Sequence, residues 1–316
     1  MNKKPFIPLI KLRPVHLEKI WGGTWLKNEF GFKTKGNNIG ESWLISAHSG
    51  GDCKVLNGFY KGTTLSQLYD SRRDLFADDE HEKFPLLVKF IDAREDLSVQ
   101  VHPGDEYARK HEGESGKSEA WIILSTKPKT RIQIGHRAKT REDLRRLVEE
   151  GRWNELLSYR SLTKSELINI PSGTLHAICA GTALLEIQQS SDVTYRLFDY
   201  DRLDSAGNKR PLHLQKALDV ITTPHLASKG IHLPKTKDSN AVKQILRTPY
   251  FQISSLRVSE PLTFYNLKNK YYLIIVLDGH GKIGRLSADK GDSFIITSKS
   301  IKTALKGQMH LIISST

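Results

Sequence analysis

Apolar and polar residues alternate along much of this chain with the period of two that marks a strand with distinct faces. From Leu97 to His102 the odd positions, Leu97, Val99 and Val101, are apolar, and the even ones, Ser98, Gln100 and His102, are polar. The same parity sets Lys117 with Glu119, Glu186 with Gln188, and Asp192 with Thr194 and Arg196. Strands are predicted over Phe84–Ile91 and Trp121–Leu124. The last quarter reads as further short strands, Gln252–Val258, Tyr271–Leu277, Ser293–Thr297 and His310–Ser314, parted by turns at Asp278-Gly279 and Lys290-Gly291-Asp292. Strands at that spacing argue for a mainly β protein built as an antiparallel sandwich or barrel.

Two stretches carry a helical rhythm instead. After Thr140, a residue type suited to an N-cap, Leu144, Leu147 and Val148 fall at i, i+3 and i+4. Trp153, Leu156 and Leu157 prolong that stripe past Gly151, and a second helix is predicted around Leu214–Val220. The polar segment from Lys229 to Ala241, with Gly230 and Pro234, marks a domain boundary near residue 240. No internal repeat or low-complexity tract is present.

Composition narrows the class. A chain of 316 residues has room for about two domains, and 38% apolar residues suffice for packed cores. No apolar run approaches the ~18 residues of a membrane span, so none is expected. The N-terminus is basic, but Pro5 and Pro8 interrupt it and Lys11 and Arg13 follow, which is not the pattern of a signal peptide. Two cysteines, Cys53 and Cys179, cannot make a disulfide framework and fit a reducing cytoplasm. Cys179 follows His176 by three positions, which raises a ligand role, although a buried small hydrophobe is the preferred reading. The net charge of +13 is concentrated at the end: from Lys229 onwards there are 14 Lys/Arg against 5 Asp/Glu. These charges are scattered singly among apolar strands, so a solvated basic face is favoured, with no nucleic-acid or membrane partner.

A polar stripe on one strand is usually its solvent face. Several stripes rich in Gln, His, Lys, Glu and Arg, bounded by Pro103 and Gly116, suit the interior of a barrel better. Gln100, His102, Glu119 and His176 offer two imidazole nitrogens and two side-chain oxygens, a donor set for a divalent metal. Pro171-x-Gly173-x-x-His176 places a tight turn before a histidine on the next strand, a spacing that resembles the second metal motif of the cupin superfamily. His102 and Glu119 have 16 residues between them, so the first motif would be an expanded one.

Taken in order, the segments resemble the type I mannose-6-phosphate isomerases in their short bacterial form, from about residue 10 to residue 215. They are Glu18–Gly23, Gly40–Trp43, Phe84–Phe90, Leu97–Pro103, Gly116–Trp121, Pro171–Ala177 and Ser191–Arg196. The resemblance implies two cupin (jelly-roll) barrels: a catalytic one over residues 1–240 with a small helical insertion near 137–165, and a metal-free C-terminal one over 241–316. It implies one zinc ion per subunit at Gln100, His102, Glu119 and His176, and a phosphosugar substrate. The implied reaction interconverts mannose 6-phosphate and fructose 6-phosphate through a cis-enediol, with a proton moved between C1 and C2. Arg196, Lys117, Glu186 and Asp192 resemble the family's catalytic groups, and Ser98, Lys89, Lys117 and Arg196 its phosphate-binding ones. The oligomeric state is left open between monomer and weak dimer.

Other roles compete. His102, Glu119 and His176 would also serve a dioxygenase-type cupin or another phosphosugar isomerase, and a non-catalytic sugar-phosphate binder needs the same cavity. Gln100 as a fourth donor, with Lys117 and Arg196 at hand for phosphate, favours the isomerase. Residue by residue, Arg196 could pair with Asp199 or Asp201, Lys89 could reach to water, and Glu186 could orient a metal-binding histidine. Trp21 and Trp43 could simply pack. Gly104 stands where many family members carry an acidic residue, leaving Asp105 and Glu106, and Ser118 replaces a common threonine.

Overall fold

The computed structural model describes residues 5–203, 206–226, 230–234, 240–267 and 269–316. The chain is mainly β and divides into two compact units. A terminal unit combines Met1–Val15, Trp43–Val88 and Leu233–Thr316, and a second unit combines His16–Ser42 with Lys89–His232. A single boundary near residue 240 does not describe this division, because the chain crosses between units before then. Leu9–Arg13 is a strand whose partner is Ser293–Ile296, with Leu9 opposite Ile296, and that pairing ties the N-terminus to the C-terminal strands. Of the expected linker from Lys229 to Ala241, residues 229 and 235–239 lie outside the described residues, as do the first four of the basic N-terminus, and Ile231–His232 is a short strand paired with Glu166 and Leu167.

The terminal unit is built on a nine-stranded sheet. Its spine is the antiparallel pair Tyr272–Ile283 and Lys302–Ser315. Asp278-Gly279 is not a turn. The strand runs through it, with Gly279 at φ 82° beside a register shift between Val276 and Asp278. A glycine at positive φ here makes a bulge, which bends a strand without ending it. The turn at Lys290-Gly291-Asp292 does form, closed by the Asp292 N–H donating to the Asp289 carbonyl at 2.9 Å. Ile274, Val276, Phe294, Leu311 and Ile313 pack together in this unit's core.

The second unit stacks a seven-stranded and a five-stranded sheet. Between them lies an apolar core that includes Trp21, Trp121, Ile123 and Ile168 from the larger sheet and Ile132 and Ile134 from the smaller. The outer face of the smaller sheet carries Val99, Val101, Ala177 and Leu197, packed beneath the helices. Leu144, Leu147 and Val148 of helix Arg141–Glu149 cover it, as do Ala217 and Leu218 of helix Leu214–Val220. Thr140 caps the first of these helices, its hydroxyl accepting from the Asp143 N–H at 3.1 Å. The helical stretch is shorter than expected: after Trp153–Leu156 the chain returns to a strand, Leu157–Ser161, paired with Arg131–His136.

This packing resolves the parity of the Leu97–His102 segment. The valines face the helices, so the even positions point between the sheets and not to water.

Candidate metal centre and cavity

Three short strands of the smaller sheet bring the polar stripes into one row. His176 lies directly opposite Gln100, and Arg196 opposite Gln100 on its other side. Directly opposed residues share a face, so His176, Gln100 and Arg196 line up across the sheet. The larger sheet contributes a matching row, with Glu119 opposite Gln188 and Trp121 opposite Glu186.

Turns lock these strands together. Gly173 has φ 81°, and a Cβ there would stand 2.9 Å from the Val220 carbonyl oxygen, so the turn before His176 requires glycine. Its N–H donates to the His102 carbonyl at 2.8 Å. Asp105 supplies another tie: its Oδ1 accepts from the Gly116 N–H at 2.9 Å and from Gln189 Nε2 at 3.0 Å. Gly104 is the N-cap of helix Asp105–Glu112, and the acidic residues after it open that helix. The Lys117 N–H then bonds the Pro103 carbonyl at 3.0 Å, which sets Lys117 and Glu119 beside His102.

The ligand atoms of His102, Glu119 and His176 all lie within 4.8 Å of one another, and all three side chains are buried. His102 Nδ1 is 2.9 Å from the Val193 carbonyl, and His176 Nδ1 is 2.9 Å from the Thr174 carbonyl. Carbonyls only accept, so each Nδ1 carries the proton and each Nε2 presents its lone pair to the cluster. Burial lowers the pKa of both rings, His102 to about 3 with Lys117 adding to the effect. Burial pushes the Glu119 carboxyl up, but Lys117 and His102 outweigh it and hold it well below the usual range.

Neither Glu119 oxygen accepts a well-formed hydrogen bond, although Lys117 Nζ stands 3.0 Å from Oε2 and 3.1 Å from His102 Nε2. A buried carboxylate facing two imidazole lone pairs, with an ammonium already drawn to it, is a cation site. Gln100 Nε2 is 3.5 Å from His176 Nε2, and its Oε1 accepts from Ser98 Oγ at 3.2 Å. Reversing the amide turns the oxygen toward the cluster, and the Ser98 hydroxyl can accept in place of donating.

Next to the cluster is a cavity of about 250 Å³. Ser98, Gln100, Lys89, Lys117, Glu186, Asp192 and Arg196 all line it, so the candidate residues of four of the segments that carry the family resemblance, with Glu186, converge there. Lys89 is buried and does not reach to water: its Nζ is 3.1 Å from Glu186 Oε1 and 3.8 Å from Glu41 Oε2. Burial alone would lower its pKa, but Glu186 and Glu41 outweigh that and raise it. Glu186 orients neither histidine. It accepts from Trp121 Nε1 at 2.9 Å, and burial, reinforced by Glu119, raises its pKa. Arg196 pairs with neither Asp199 nor Asp201, which are taken by Arg202 and Arg210 and by Lys209. Cys179 is buried and stands outside the His102–Glu119–His176 group. Trp21 lines the cavity as well as packing, while Trp43 is buried in the terminal unit.

Three charged lining residues have no role assigned from the sequence: Lys19, Glu41 and Arg210. Lys19 and Glu41 form an ion pair at 3.4 Å. Both sit in segments that carry the family resemblance, and that was their signal. Arg210 had none.

A sequence model of the family described as phosphomannose isomerase type I, catalytic domain, matches residues 9–143. The chain is 39% identical over 310 residues to the probable mannose-6-phosphate isomerase GmuF of Bacillus subtilis (strain 168), spanning 96% of this chain and 98% of that protein. It is 38% identical over 313 residues to the mannose-6-phosphate isomerase of Streptococcus mutans, spanning 97% of this chain and 98% of the other. Its fold matches the crystal structure of the mannose 6-phosphate isomerase from Bacillus subtilis with a TM-score of 0.90 at 37% identity, covering 98% and 100% of the two chains.

Proposed function

The chain belongs to the type I phosphomannose isomerase family, and we propose that it interconverts mannose 6-phosphate and fructose 6-phosphate through a cis-enediol, with one zinc ion per subunit. The observation that carries this reading is the junction of a buried His–Glu–His cluster with a cation-lined cavity.

His102, Glu119 and His176 would hold the ion, with Gln100 as the fourth donor once its amide oxygen faces inward. When bound, zinc supplies Lewis-acid polarisation of a sugar oxygen and a fixed point for the open-chain substrate. The remaining chemistry belongs to the protein. Moving a proton between C1 and C2 needs one group that reaches both carbons and titrates within reach of neutral pH. We assign this to Glu186, which is buried at the cavity and whose affinity for a proton is raised by burial and by Glu119. Lys89 and the Trp121 N–H hold that carboxylate in place. Lys117 donates toward the oxygen that gains charge as the enediol forms, and Asp192 faces the same cavity. Arg196 and Ser98 receive the phosphate. Both cysteines are free and buried, which suits a reducing, cytoplasmic setting.

A coupled assay tests the reading: mannose 6-phosphate supplied, fructose 6-phosphate measured, before and after chelation. We expect turnover by metal-replete protein, its loss on chelation and its recovery with zinc. Absence of turnover in metal-replete protein defeats the assignment. Full activity after complete metal removal defeats the metal's part in it.

A further inference from the structure

Resting on the reading that the cavity takes a phosphosugar, we infer that Arg210, held by Asp199, forms the second arm of the phosphate site beside Arg196. The cations of the cavity fall into two groups. Lys89, Lys19 and Lys117 each have a carboxylate partner, in Glu186, Glu41 and Glu119 respectively. The arginines do not balance in this way: of the two that line the cavity, Arg210 shares the carboxylate of Asp199 with Arg202, and Arg196 has no carboxylate partner among the described residues.

Asp199 is buried and grips Arg210 bidentately, accepting from Nε at 2.7 Å and from an Nη at 2.6 Å. Its Oδ1 also accepts from Arg202 at 2.6 Å. Arg202 is not among the residues lining the cavity, whereas Arg210 is. The fork therefore engages one edge of the Arg210 guanidinium. Among the described residues, its other Nη donates to no protein acceptor. Arg196 is in a similar state, with one Nη on the Pro211 carbonyl at 2.8 Å and a buried Nε that has no partner among the described residues.

The backbone joins the two arginines. The His213 N–H donates to the Arg196 carbonyl at 2.8 Å, and the Arg196 N–H to His213 Nδ1 at 3.2 Å. Segment 210–213 thus runs along the strand Tyr195–Phe198 and delivers Arg210 to the same wall as Arg196. Two guanidiniums there repel each other, and after burial Arg210 is the main influence lowering the Arg196 pKa. A phosphate monoester dianion removes that repulsion and offers several oxygens to the two free guanidinium edges. Arg210 is thereby a determinant of selection for the phosphorylated hexose, and Asp199 is a positioning residue that acts through it.

The experiment compares wild type with Arg210→Ala, Arg210→Gln and Asp199→Asn. For Arg210→Ala we expect KM for mannose 6-phosphate and the inhibition constant of inorganic phosphate to rise together by ~10-fold or more, on the scale of a lost charged hydrogen-bond pair, with a smaller fall in kcat. Arg210→Gln follows the same direction, and Asp199→Asn gives a smaller rise in both constants. An unchanged KM and unchanged phosphate inhibition in a variant that melts like wild type overturn the inference, as does a loss confined to kcat. Thermal stabilisation by inorganic phosphate, read without turnover, separates this from the isomerase reading. If wild type is stabilised and Arg210→Ala is not, the site stands even where mannose 6-phosphate is not turned over; equal stabilisation of both removes it.

Discussion

His176 and His310 are both buried histidines on antiparallel strands, one in each unit, and only one of them belongs to a group of metal-ligating side chains. His310 has its Nε2 on the Ser255 hydroxyl at 2.9 Å, and burial with nearby Arg257 lowers its pKa to about 4. That nitrogen is satisfied within the sheet. His176 has a carbonyl on Nδ1, while its Nε2 looks across to Glu119 Oε1 at 3.3 Å. The histidine itself is therefore not what makes a site. A site needs a second sheet that returns a carboxylate to the open nitrogen, and a neighbouring strand that adds a second imidazole. In the terminal unit the residues directly opposite His310 are Arg257 and Asp278, and among the described residues His310 joins no group of metal-ligating side chains.

Removing the carboxylate from the cluster is the harshest way to break this contrast. Glu119→Gln leaves two neutral imidazoles facing an amide, so metal content by elemental analysis should fall well below one per chain. Losing an outer partner of a ligand typically costs 10–100-fold, so losing a ligand should cut kcat/KM by more than ~10². Retained metal with retained activity would mean that the two histidines suffice and that the contrast with His310 is wrongly drawn.

Arg196→Ala sharpens the same contrast, because it removes charge from the cavity without touching the cluster. We expect kcat/KM to drop by roughly 10², the scale of lost charged hydrogen bonds to the phosphate, with zinc still bound. Loss of zinc from this variant would make Arg196 a structural support of the row it shares with Gln100 and His176.

How far each region was legible follows from the range of the interactions involved. The row of the second unit showed in the alternation Ser98, Gln100, His102, because the pleat is local. Which face looked inward was settled by helices more than 35 positions away in sequence. Helix Asp105–Glu112 was missed because Ala108 is its only buried residue, so it carries no apolar stripe. Its signals were Gly104 and Gly113 at the two ends, Asp105 and Glu106 in the first turn, and Arg109, Lys110 and His111 in the last. The grouping of Leu9–Arg13 with Ser293–Ile296 has no local signature, since a short apolar strand fits many partners. Arg210 was invisible for the same reason: its role depends on a loop folding back on Tyr195–Phe198.

Acid separates the arginine end of the cavity from the metal cluster more gently. Burial pushes Asp199 up, but hydrogen bonds from Arg210 and Arg202 outweigh this and hold its pKa below the ordinary value. A carboxylate with a depressed folded pKa stabilises fully above its unfolded pKa of ~3.9, and that contribution is lost as pH falls through the folded value. Asp199→Asn should therefore lower stability at pH 7 by about 1.5–3 kcal/mol, as for hydrogen bonds to a charged group. The gap in Tm from wild type should narrow as pH drops below ~4. A gap that stays constant down to pH ~2 would mean that the fork contributes through shape and not through charge.

His310→Leu puts the smallest strain on the comparison and tests its other half. The substitution leaves Ser255 Oγ without its ring partner, and leucine fills most of the vacated volume beside the Leu311 strand. The expected cost is about 1 kcal/mol, the net value of one neutral hydrogen bond, seen as a small downward shift in the denaturant midpoint with unchanged slope. Metal content and kcat should stay at wild-type levels, because the ring's hydrogen bond is to Ser255 of its own sheet. A fall in zinc occupancy would show that the histidine satisfied by a hydroxyl and the one opposed to a carboxylate are not energetically independent. Were that found, the hydrogen bond between His310 and Ser255 would be part of what holds the site, and the separation between a lone buried histidine and a clustered one would no longer hold.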